Sequence, residues 1–352
     1  MRIVFVCAPT MGPWTPRSAD HGIGGSEEAV INMAAKLAGL GHAVGVYMVH
    51  GANQWFGDVF YGTLDSLPAS DLDVAVIWRR PSRIGMLDRR GIRPGRAYLW
   101  LHDNLPARMV TEWRHRFRKV MVLSRYHRTC YPALPDEAVF VTTNGIDLAH
   151  FQSPDPLRDP FQVVYGSDYP RGLRYLLTSW PAIRKAVPTA KLNVFYGWQG
   201  IEKFNPQRAR ILHDELDPLL RQHGVAHLGR LSHAAVADQF RRAGVWAYPC
   251  ALPETSCITA MKAQAGGAIP AVIPNGALRE TVRFGFRTQR DFDNPDSSSH
   301  NGQLGEWRQG LIELLRSPQR QLSIRRAMVP ASMQAFDWSH VAADWERDFS
   351  QP

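Results

Sequence analysis

Short, wholly apolar segments alternate with helical patterns along most of this 352-residue chain. Such segments predict strands that are buried on both faces, and strands separated by helices are typical of a parallel sheet covered on both sides. Helices are predicted at Ser26–Leu40 and Ala107–Trp113. The first series of predicted strands comprises Ile3–Cys7, Ala43–Val49, Val74–Trp78, Ala97–Leu101, Val120–Leu123 and Val139–Thr142.

A second series of the same kind follows, so the chain is predicted to form two doubly wound α/β domains. A length of 352 residues favours the same number, at roughly 150 residues per domain. The proline-rich stretch Phe151–Phe161 predicts the boundary, Asp293–Gln303 predicts a loop, and helices are expected beyond Gln303. Ligands of such sheets bind beyond the carboxyl ends of the strands, which places the expected site in the cleft between the domains. The second series comprises Gln162–Tyr165, Lys191–Tyr196, Ala226–Leu228, Val245–Tyr248 and Ala271–Ile273.

Cysteine usage and apolar run lengths indicate a cytoplasmic protein with no integral membrane segment. No apolar run approaches the roughly 20 residues that a membrane helix needs. The start of the chain is interpreted as a strand rather than a signal peptide, because its apolar run breaks at Pro9. The four cysteines are scattered and form no C-x-x-C pair, so neither a disulfide framework nor a zinc site is indicated.

Positive charge is concentrated between Arg79 and Arg128, which we call the basic segment. It contains fourteen arginines and lysines against three acidic residues, an excess of +11 where the whole chain has +9. A field of this sign attracts polyanions such as nucleic acid, an anionic membrane surface or phosphorylated substrates. The alternative is an ordinary solvated face in an arginine-rich protein.

Two glycines precede the first predicted helix and indicate a site for an anion. Gly24 and Gly25 permit close approach of the backbone, Ser26 is predicted to cap the helix, and the free N–H groups of a helix start accept phosphate or carboxylate. The stretch is neither G-x-G-x-x-G nor a P-loop, which argues against a nicotinamide cofactor or an ATPase of that type.

Further polar residues follow predicted strands. His102 and Asp103 come directly after the strand Ala97–Leu101, where they either face a reacting centre or serve a structural role. Arg171 precedes Gly172 at a helix start, where an arginine can pair with a diphosphate; an ordinary surface arginine is the alternative.

Metal sites are not predicted. Asp71–Asp73 and Asp291–Asp293 have the D-x-D spacing, but the first precedes a strand and the second lies in loop-like sequence. His223 and His227 are four residues apart but straddle Gly224 and lead into a strand, which disfavours a zinc pair.

Taken in chain order, six stretches resemble those of glycosyltransferase family 4. The resemblance covers nearly the whole chain and keeps the order and spacing of the motifs. The stretches are GGSE at Gly24–Glu27, LHD at Leu101–Asp103, NGID at Asn144–Asp147, RGL at Arg171–Leu173, AYPCALPETSCITAMKAQAGG at Ala247–Gly267 and FDWSHVAADW at Phe336–Trp345.

The resemblance implies a GT-B fold of two Rossmann-like domains with a cleft between them. Residues 1–152 would bind the acceptor, residues 160–335 would bind a nucleotide-diphosphate sugar, and a helix in residues 336–352 would pack back on the first domain. Sugar transfer would be metal-independent and would retain the anomeric configuration. No cofactor is implied beyond the donor substrate, for which a UDP-sugar is one candidate.

The resemblance also implies roles for individual residues. Gly25 would approach the donor phosphates and His102 would lie near the reacting centre. Arg171 would neutralise the diphosphate in place of the family's lysine, and Glu254 would hold sugar hydroxyls. Ser256 and Cys257 would lie by the phosphates at a helix N-terminus.

Two departures from the family pattern affect the expected site. An arginine usual about five residues before the position of Arg171 is replaced by the stretch Gly166–Asp168, and Arg230 is the candidate to supply the missing charge. Lys262 stands where the family has a glutamate that binds ribose hydroxyls, and an ammonium donates hydrogen bonds but accepts none. We interpret Lys262 as natural variation rather than as a sign of inactivation.

The acceptor is expected to be polyanionic because the first domain carries the basic segment. Hydroxymethylated DNA is favoured slightly, with arginines holding phosphates and the base flipped out. A lipid or polysaccharide intermediate at the cytoplasmic membrane face is the alternative. A third hypothesis is a non-catalytic protein that binds a sugar nucleotide or nucleic acid.

Overall fold

The computed structural model describes residues 1–10, 12–69, 71–152, 157–290 and 299–351. The chain divides into two compact units. The first unit comprises Met1–Ala19, Ile23–Ile146 and Asp337–Pro352, and the second comprises Asp20–Gly22 and Asp147–Phe336. The stretch Asp291–Asp293, which has the D-x-D spacing, and part of the predicted linker, residues 153–156, lie outside the described residues.

The first unit is built on an eight-stranded sheet with the order β3-β4-β2-β1-β5-β6-β7-β8. All its neighbouring strands are parallel except β3 and β4, which are antiparallel. The strands are β1 (Arg2–Cys7), β2 (Ala43–Met48), β3 (Gln54–Phe56), β4 (Val59–Thr63), β5 (Val74–Trp78), β6 (Arg96–Trp100), β7 (Lys119–Val122) and β8 (Val139–Val141).

The second unit is built on a six-stranded, wholly parallel sheet with the order β11-β10-β9-β12-β13-β14. Two parallel sheets with helices between their strands confirm the predicted doubly wound α/β architecture. The strands are β9 (Asp159–Gly166), β10 (Lys191–Phe195), β11 (Val225–Gly229), β12 (Ala243–Tyr248), β13 (Ile269–Val272) and β14 (Phe286–Arg287).

Helices connect the strands in both units, and short 3-10 helices extend several connections. The α-helices are α1 (Gly25–Gly39), α2 (Ile84–Arg89), α3 (Ala107–Trp113), α4 (Arg125–Thr129), α5 (Leu173–Ala186), α6 (Gln199–Phe204), α7 (Pro206–Leu220), α8 (His233–Arg242), α9 (Ile258–Ala265), α10 (Leu278–Thr281), α11 (Ser299–Leu315), α12 (Pro318–Ala335) and α13 (Trp338–Ser350).

Helix α13 belongs to the first unit, although some 190 residues separate it from the rest of that unit. Asp337 caps its start by accepting a hydrogen bond from the Ser339 amide at 2.8 Å. The Trp345 ring packs against that of Trp100 with centroids 4.6 Å apart, and its indole N–H donates to the Thr142 hydroxyl at 2.8 Å. These buried contacts, together with packing of α13 against α1, fix the helix on the first unit.

Some elements differ from the sequence predictions. The hairpin of β3 and β4 was not predicted: it turns at Gly57, whose φ is 56°. The loop predicted at Asp293–Gln303 is wrong in its last part, because α11 begins at Ser299. Within the described residues, no helix is long and apolar enough to cross a bilayer.

Candidate active site

The connection between β9 and α5 places Arg171 beyond the carboxyl end of its strand. A 3-10 helix at Tyr169–Arg171 leads to Gly172, which precedes α5. A side chain at Gly172 would collide with the Pro249 carbonyl oxygen, so only glycine permits this close approach. The arginine is therefore held where the sequence predicts it, directly before a helix start.

Arg171 forms an ion pair with Glu254 within the second unit, and the structure thus brings together two of the predicted site residues. The Arg171 Nη1 atom lies 3.0 Å from Glu254 Oε1, and the two side chains are 35% and 10% exposed. Burial acts to lower the pKa of Arg171, but the Glu254 carboxylate and neighbouring groups outweigh it and raise the pKa overall. The guanidinium is therefore fully charged.

Tyr248 completes this cluster and was not singled out from the sequence. Its hydroxyl donates to Glu254 Oε1 at 2.6 Å and lies 3.0 Å from the Ser167 hydroxyl. Burial raises the pKa of Tyr248 well above its usual value, so the phenol keeps its proton. The sequence did offer a signal for Tyr248. It is the last residue of β12, and Arg171 follows the carboxyl end of β9 in the same sheet.

Backbone hydrogen bonds hold the Glu254 loop in place. The Glu254 carbonyl accepts from the Ala277 amide at 2.8 Å, and the Ala251 amide donates to the Arg171 carbonyl at 3.0 Å. The Asn275 side chain donates to the Ala251 carbonyl at 2.8 Å. The carboxylate is consequently presented by a pinned loop rather than by a loose one.

Three further predicted site residues lie in helix α9 or directly before it. Ser256 and Cys257 directly precede its first residue, as predicted, and Lys262 lies within it with only 8% of the residue exposed. Burial, followed by the charge of Glu254, raises the pKa of Cys257 well above its usual value, so this thiol is not a thiolate at neutral pH.

Arg230, the candidate to supply the missing charge, follows β11. Its guanidinium lies 5.7 Å from the Tyr196 ring centroid, and its Nε donates to the Gly22 carbonyl at 2.9 Å within the second unit. The structure describes no ion pair or hydrogen bond of Arg230 with Arg171 or Glu254.

The departure at Gly166–Asp168 has a packing reason. A side chain at Gly166 would collide with the ring of Phe195, a buried residue of β10. Phe195 therefore keeps position 166 without a side chain, and Asp168 follows with a pKa raised by burial and partly lowered again by Arg171.

In the first unit, His102 lies beyond the end of β6 among aromatic rings. Its ring is 4.4 Å from that of Trp100 and 6.0 Å from that of Trp78. Desolvation, then the charges of Arg79 and His127, lower the pKa of His102 well below its usual value. The imidazole is therefore neutral near pH 7.

Asp103, the neighbour of His102, forms an ion pair with Arg79. Arg79 holds its carboxylate through two hydrogen bonds, at 2.8 and 3.0 Å. Arg79 has a positive φ of 67°, which is uncommon for arginine. The pair anchors the segment that follows His102.

The glycine loop before α1 differs in part from prediction. The helix begins at Gly25 with Gly24 as its N-cap residue, and the prediction that Ser26 caps it is wrong. Ser26 lies inside the first turn, where its hydroxyl donates to Glu27 Oε2 at 2.9 Å. Glu27 and Glu28 already place negative charge at this helix end, where it complements the helix dipole.

The sequence pairs considered as metal ligands have structural partners. Asp73 accepts from the Arg2 amide at 2.6 Å, Arg184 lies 2.7 Å from His223, and the Tyr169 hydroxyl lies 2.6 Å from His227. Across the described part of the chain, no group of three or more His, Cys, Asp or Glu side chains is arranged to hold a metal ion.

Two doubly wound parallel sheets, with the last helix returned to the first unit, define the GT-B fold. Comparison with solved structures bears this out. Sucrose-phosphate synthase from Thermosynechococcus elongatus matches with a TM-score of 0.72 and 14% identity, over 99% of this chain and 98% of that chain. HepE of Anabaena in complex with UDP and glucose matches with a TM-score of 0.69 and 16% identity, over 99% of both chains.

A third similar structure is WaaG, a glycosyltransferase involved in lipopolysaccharide biosynthesis. It matches with a TM-score of 0.64 and 13% identity, over 99% of this chain and 100% of that chain. A scan of protein-family models finds no match, and a search of curated protein sequences finds none at a significant level. Likeness at these identities establishes the fold.

Proposed function

We propose that this protein is a glycosyltransferase of family 4, which moves a sugar from a nucleotide-diphosphate sugar to a hydroxyl acceptor. The observation that carries the proposal is the ion pair of Arg171 and Glu254, joined by Tyr248, at the carboxyl ends of β9 and β12. A UDP-sugar is the proposed donor, because HepE, which shares this fold, was solved with UDP and glucose.

Arg171 has the chemistry that the departing diphosphate requires. Negative charge grows on the leaving group during transfer, and a fixed cation stabilises that charge without reorganisation. An arginine carries five N–H donors, so the guanidinium that contacts Glu254 has donors left for phosphate oxygens. We propose that this charge makes a metal unnecessary and that the anomeric configuration is retained.

Glu254 is proposed to orient the sugar. Its Oε1 atom accepts from Tyr248 and contacts Arg171, and a carboxylate has about four lone-pair sites in total. The remaining capacity suits sugar hydroxyls, which are donors. The donor phosphates are assigned to Ser256 and Cys257 at the start of α9, and the anion site at Gly24, Gly25 and Ser26 stays a prediction from the sequence.

His102 is proposed to contact the transferred sugar as a neutral imidazole. A neutral ring offers one donor and one acceptor, and it adds no positive charge near an oxocarbenium-like centre. Its low pKa, caused first by desolvation, keeps it in that form.

The proposed acceptor is polyanionic, with hydroxymethylated DNA as the first candidate. The positive charge of the basic segment supports this candidate. Two carboxylates from other parts of the chain neutralise some of that charge, because Asp348 pairs with Lys119 and Asp136 with Arg128. A lipid or polysaccharide intermediate at the membrane face is the second candidate, which the likeness to WaaG favours. We place the reaction in the cytoplasm, where thiols such as Cys250 and Cys257 stay reduced.

The test of transfer is release of UDP from common UDP-sugars, with and without chelator. We expect slow release that survives chelator. Arg171→Met should reduce it at least a hundredfold, while Arg174→Met, at an exposed arginine in the first turn of the following helix α5, should change it less than twofold. If the protein binds UDP but releases no UDP from any UDP-sugar, the result would instead favour a non-catalytic binding protein.

The acceptor is tested separately by titrating duplex DNA across a salt series. Many phosphate contacts predict a steep fall in affinity as salt rises. Binding that is absent or insensitive to salt would exclude DNA and leave the lipid or polysaccharide candidate. Mass analysis of hydroxymethylated DNA and lipid extracts after incubation with donor then identifies the modified acceptor, and NMR of the product reports whether the configuration is retained.

A further inference from the structure

The first unit contains a basic pocket of about 360 Å³ at the starting ends of β6 and β7. Its lining includes Arg93, Arg96, Arg116 and Arg118, together with His115. Ile84, Leu87 and Phe117 contribute apolar lining. A cleft lined by one sign of charge and by low-dielectric walls focuses the electric field and concentrates counter-ions.

This pocket lies away from the end of the sheet that carries His102. Arg96 is the first residue of β6, and His102 follows the far end of that strand. At about 3.3 Å per residue, six residues of extended chain separate them by roughly 20 Å. A ligand group in the pocket is therefore distinct from any group that reacts near His102.

Two of the lining arginines are held in place. Arg116 forms two hydrogen bonds with Asp88, at 2.9 and 2.6 Å, and Arg96 donates to the Phe349 carbonyl. The backbone is held as well, because the Arg96 amide donates to the Asp73 carbonyl at 2.9 Å and the Arg118 amide to the Ala97 carbonyl at 2.7 Å. Fixed guanidinium groups lose little entropy on binding an anion.

Asp88 is the one carboxylate among the described residues that line the pocket, so the four arginines leave an excess of three positive charges. The hydrogen bonds from Arg116 lower the pKa of Asp88, and the nearby charges of Arg93 and Arg89 lower it further.

We propose that this pocket binds a phosphate group and serves as a second anchoring point for a phosphorylated ligand. Paired, planar guanidinium groups match the geometry of phosphate oxygens. The phosphate belongs either to a free phosphorylated molecule or to the headgroup of an anionic lipid, and the chemistry of recognition is the same for both.

The experiment detects binding in the pocket by NMR. It follows the ring signal of His115 in full-length protein labelled at its histidines. Loss of the signal in His115→Gln assigns it. Inorganic phosphate is the first probe, and vesicles of phosphatidylglycerol in phosphatidylcholine are the second, with co-sedimentation as the readout. The variant is Arg93→Glu, and the control is Arg17→Glu, which makes the same change in net charge at an exposed arginine of the same unit outside the basic segment. Thermal melts verify that both variants fold.

A saturable shift of His115 with inorganic phosphate, weakened at least tenfold by Arg93→Glu and less than twofold by Arg17→Glu, supports the pocket and a free phosphate. Vesicle binding that depends on Arg93 in the same way, with little response to inorganic phosphate, supports the pocket and a lipid headgroup. Equal effects of the two variants, or no response to either probe, would overturn the proposal. None of these outcomes depends on sugar transfer.

Discussion

At the residue scale, three polar side chains of the second unit form one cluster, in which Arg171 and Tyr248 both contact Glu254. Glu254 is 10% exposed, yet it contacts the Arg171 guanidinium and accepts from Tyr248 through the same oxygen. Breaking such a cluster leaves a largely buried carboxylate short of partners, which costs more than an ordinary hydrogen bond. The exposure of Arg171, at 35%, reduces its share because solvent screens the pair.

Tyr248→Phe measures the worth of this arrangement. We expect a loss of about 2 kcal/mol in the free energy of unfolding, because a hydrogen bond to a carboxylate is removed. Tyr165→Phe is the matched control, because the buried Tyr165 hydroxyl donates to the uncharged backbone carbonyl of Asp168 at 3.0 Å. The expected loss of unfolding free energy there is about 1 kcal/mol. Urea unfolding decides between them, and an equal loss in both would contradict the ionic character of the cluster.

Lys262 is tested by replacing it with the residue that the family resemblance predicts. If the lysine belongs to this protein's own way of holding the nucleotide, Lys262→Glu lowers UDP affinity, which we expect by about tenfold, the equivalent of about 1.4 kcal/mol. Titration calorimetry with UDP measures it, with Lys262→Met separating the loss of the ammonium from the gain of a carboxylate. Higher affinity in Lys262→Glu would show that the lysine is a defect.

His127 makes the first unit sensitive to acid. Burial lowers its pKa to about 4 despite the opposing effect of Asp103, whereas an unfolded histidine titrates near 6.5. Between these values the unfolded chain binds a proton that the folded chain does not, so stability falls as the pH falls. The expected loss is about 2 kcal/mol between pH 7 and pH 5. In urea unfolding, His127→Gln should reduce this dependence by the share of one histidine, while the share of His102, whose pKa is also lowered, remains. An unchanged dependence would contradict the assignment.

The sequence predicted the positions of Arg171 and Glu254 because both depend on local order, namely a strand followed by a polar turn and a helix. It did not predict their contact with Tyr248, which depends on the order of β9 and β12 in the sheet. The wrong prediction at Ser26 has a local origin. Its hydroxyl suits an N-cap, but the helix begins one residue earlier and the side chain pairs with Glu27.

At the scale of elements, α13 supports the surroundings of His102. The Trp345 ring contacts Trp100, and the Trp100 ring contacts His102. At the other end of the helix, Tyr98 donates to Asp348 at 2.8 Å, and Lys119 contacts the same carboxylate. The helix therefore joins the starts of β6 and β7 to the region where β6 ends.

Trp345→Leu tests that role. Loss of the ring contact and of the hydrogen bond to Thr142 should cost about 3 kcal/mol of unfolding free energy and shift the NMR signal of His102. Trp55→Leu is the control, because Trp55 belongs to the same unit and is 66% exposed. Its expected effect is below about 0.5 kcal/mol. An unchanged His102 signal in Trp345→Leu would show that the helix does not position the imidazole.

Strands buried on both faces were predictable because nearly all of their residues are apolar. Strand β5 coincides with its prediction at Val74–Trp78, and β1 differs from it by one residue. The hairpin of β3 and β4 was missed because β3 is an edge strand of only three residues and the apolar run of β4 stops before Gly62. The two-residue strand β14 is too short to leave any periodic signal.

At the scale of the whole molecule, the two units differ in how they are drawn from the chain. Nearly all of the second unit is one continuous segment, Asp147–Phe336, while the first needs a segment from each side of it. We therefore expect residues 147–336 to fold alone and to bind UDP. Residues 1–146 should remain unstable unless 337–352 are fused to them. Circular dichroism melts of the fragments measure this, and a cooperative melt of 1–146 alone would contradict it.

The return of α13 to the first unit sets an order for events during translation. About 190 residues are synthesised between Ile146 and Asp337, which takes about 10–40 s at 5–20 residues per second. Throughout that interval the nascent first unit lacks the helix that covers Trp100 and α1, while the second unit emerges whole. The half made first at the ribosome is thus the half finished last, and for that time its exposed apolar surface is available to chaperones and to aggregation.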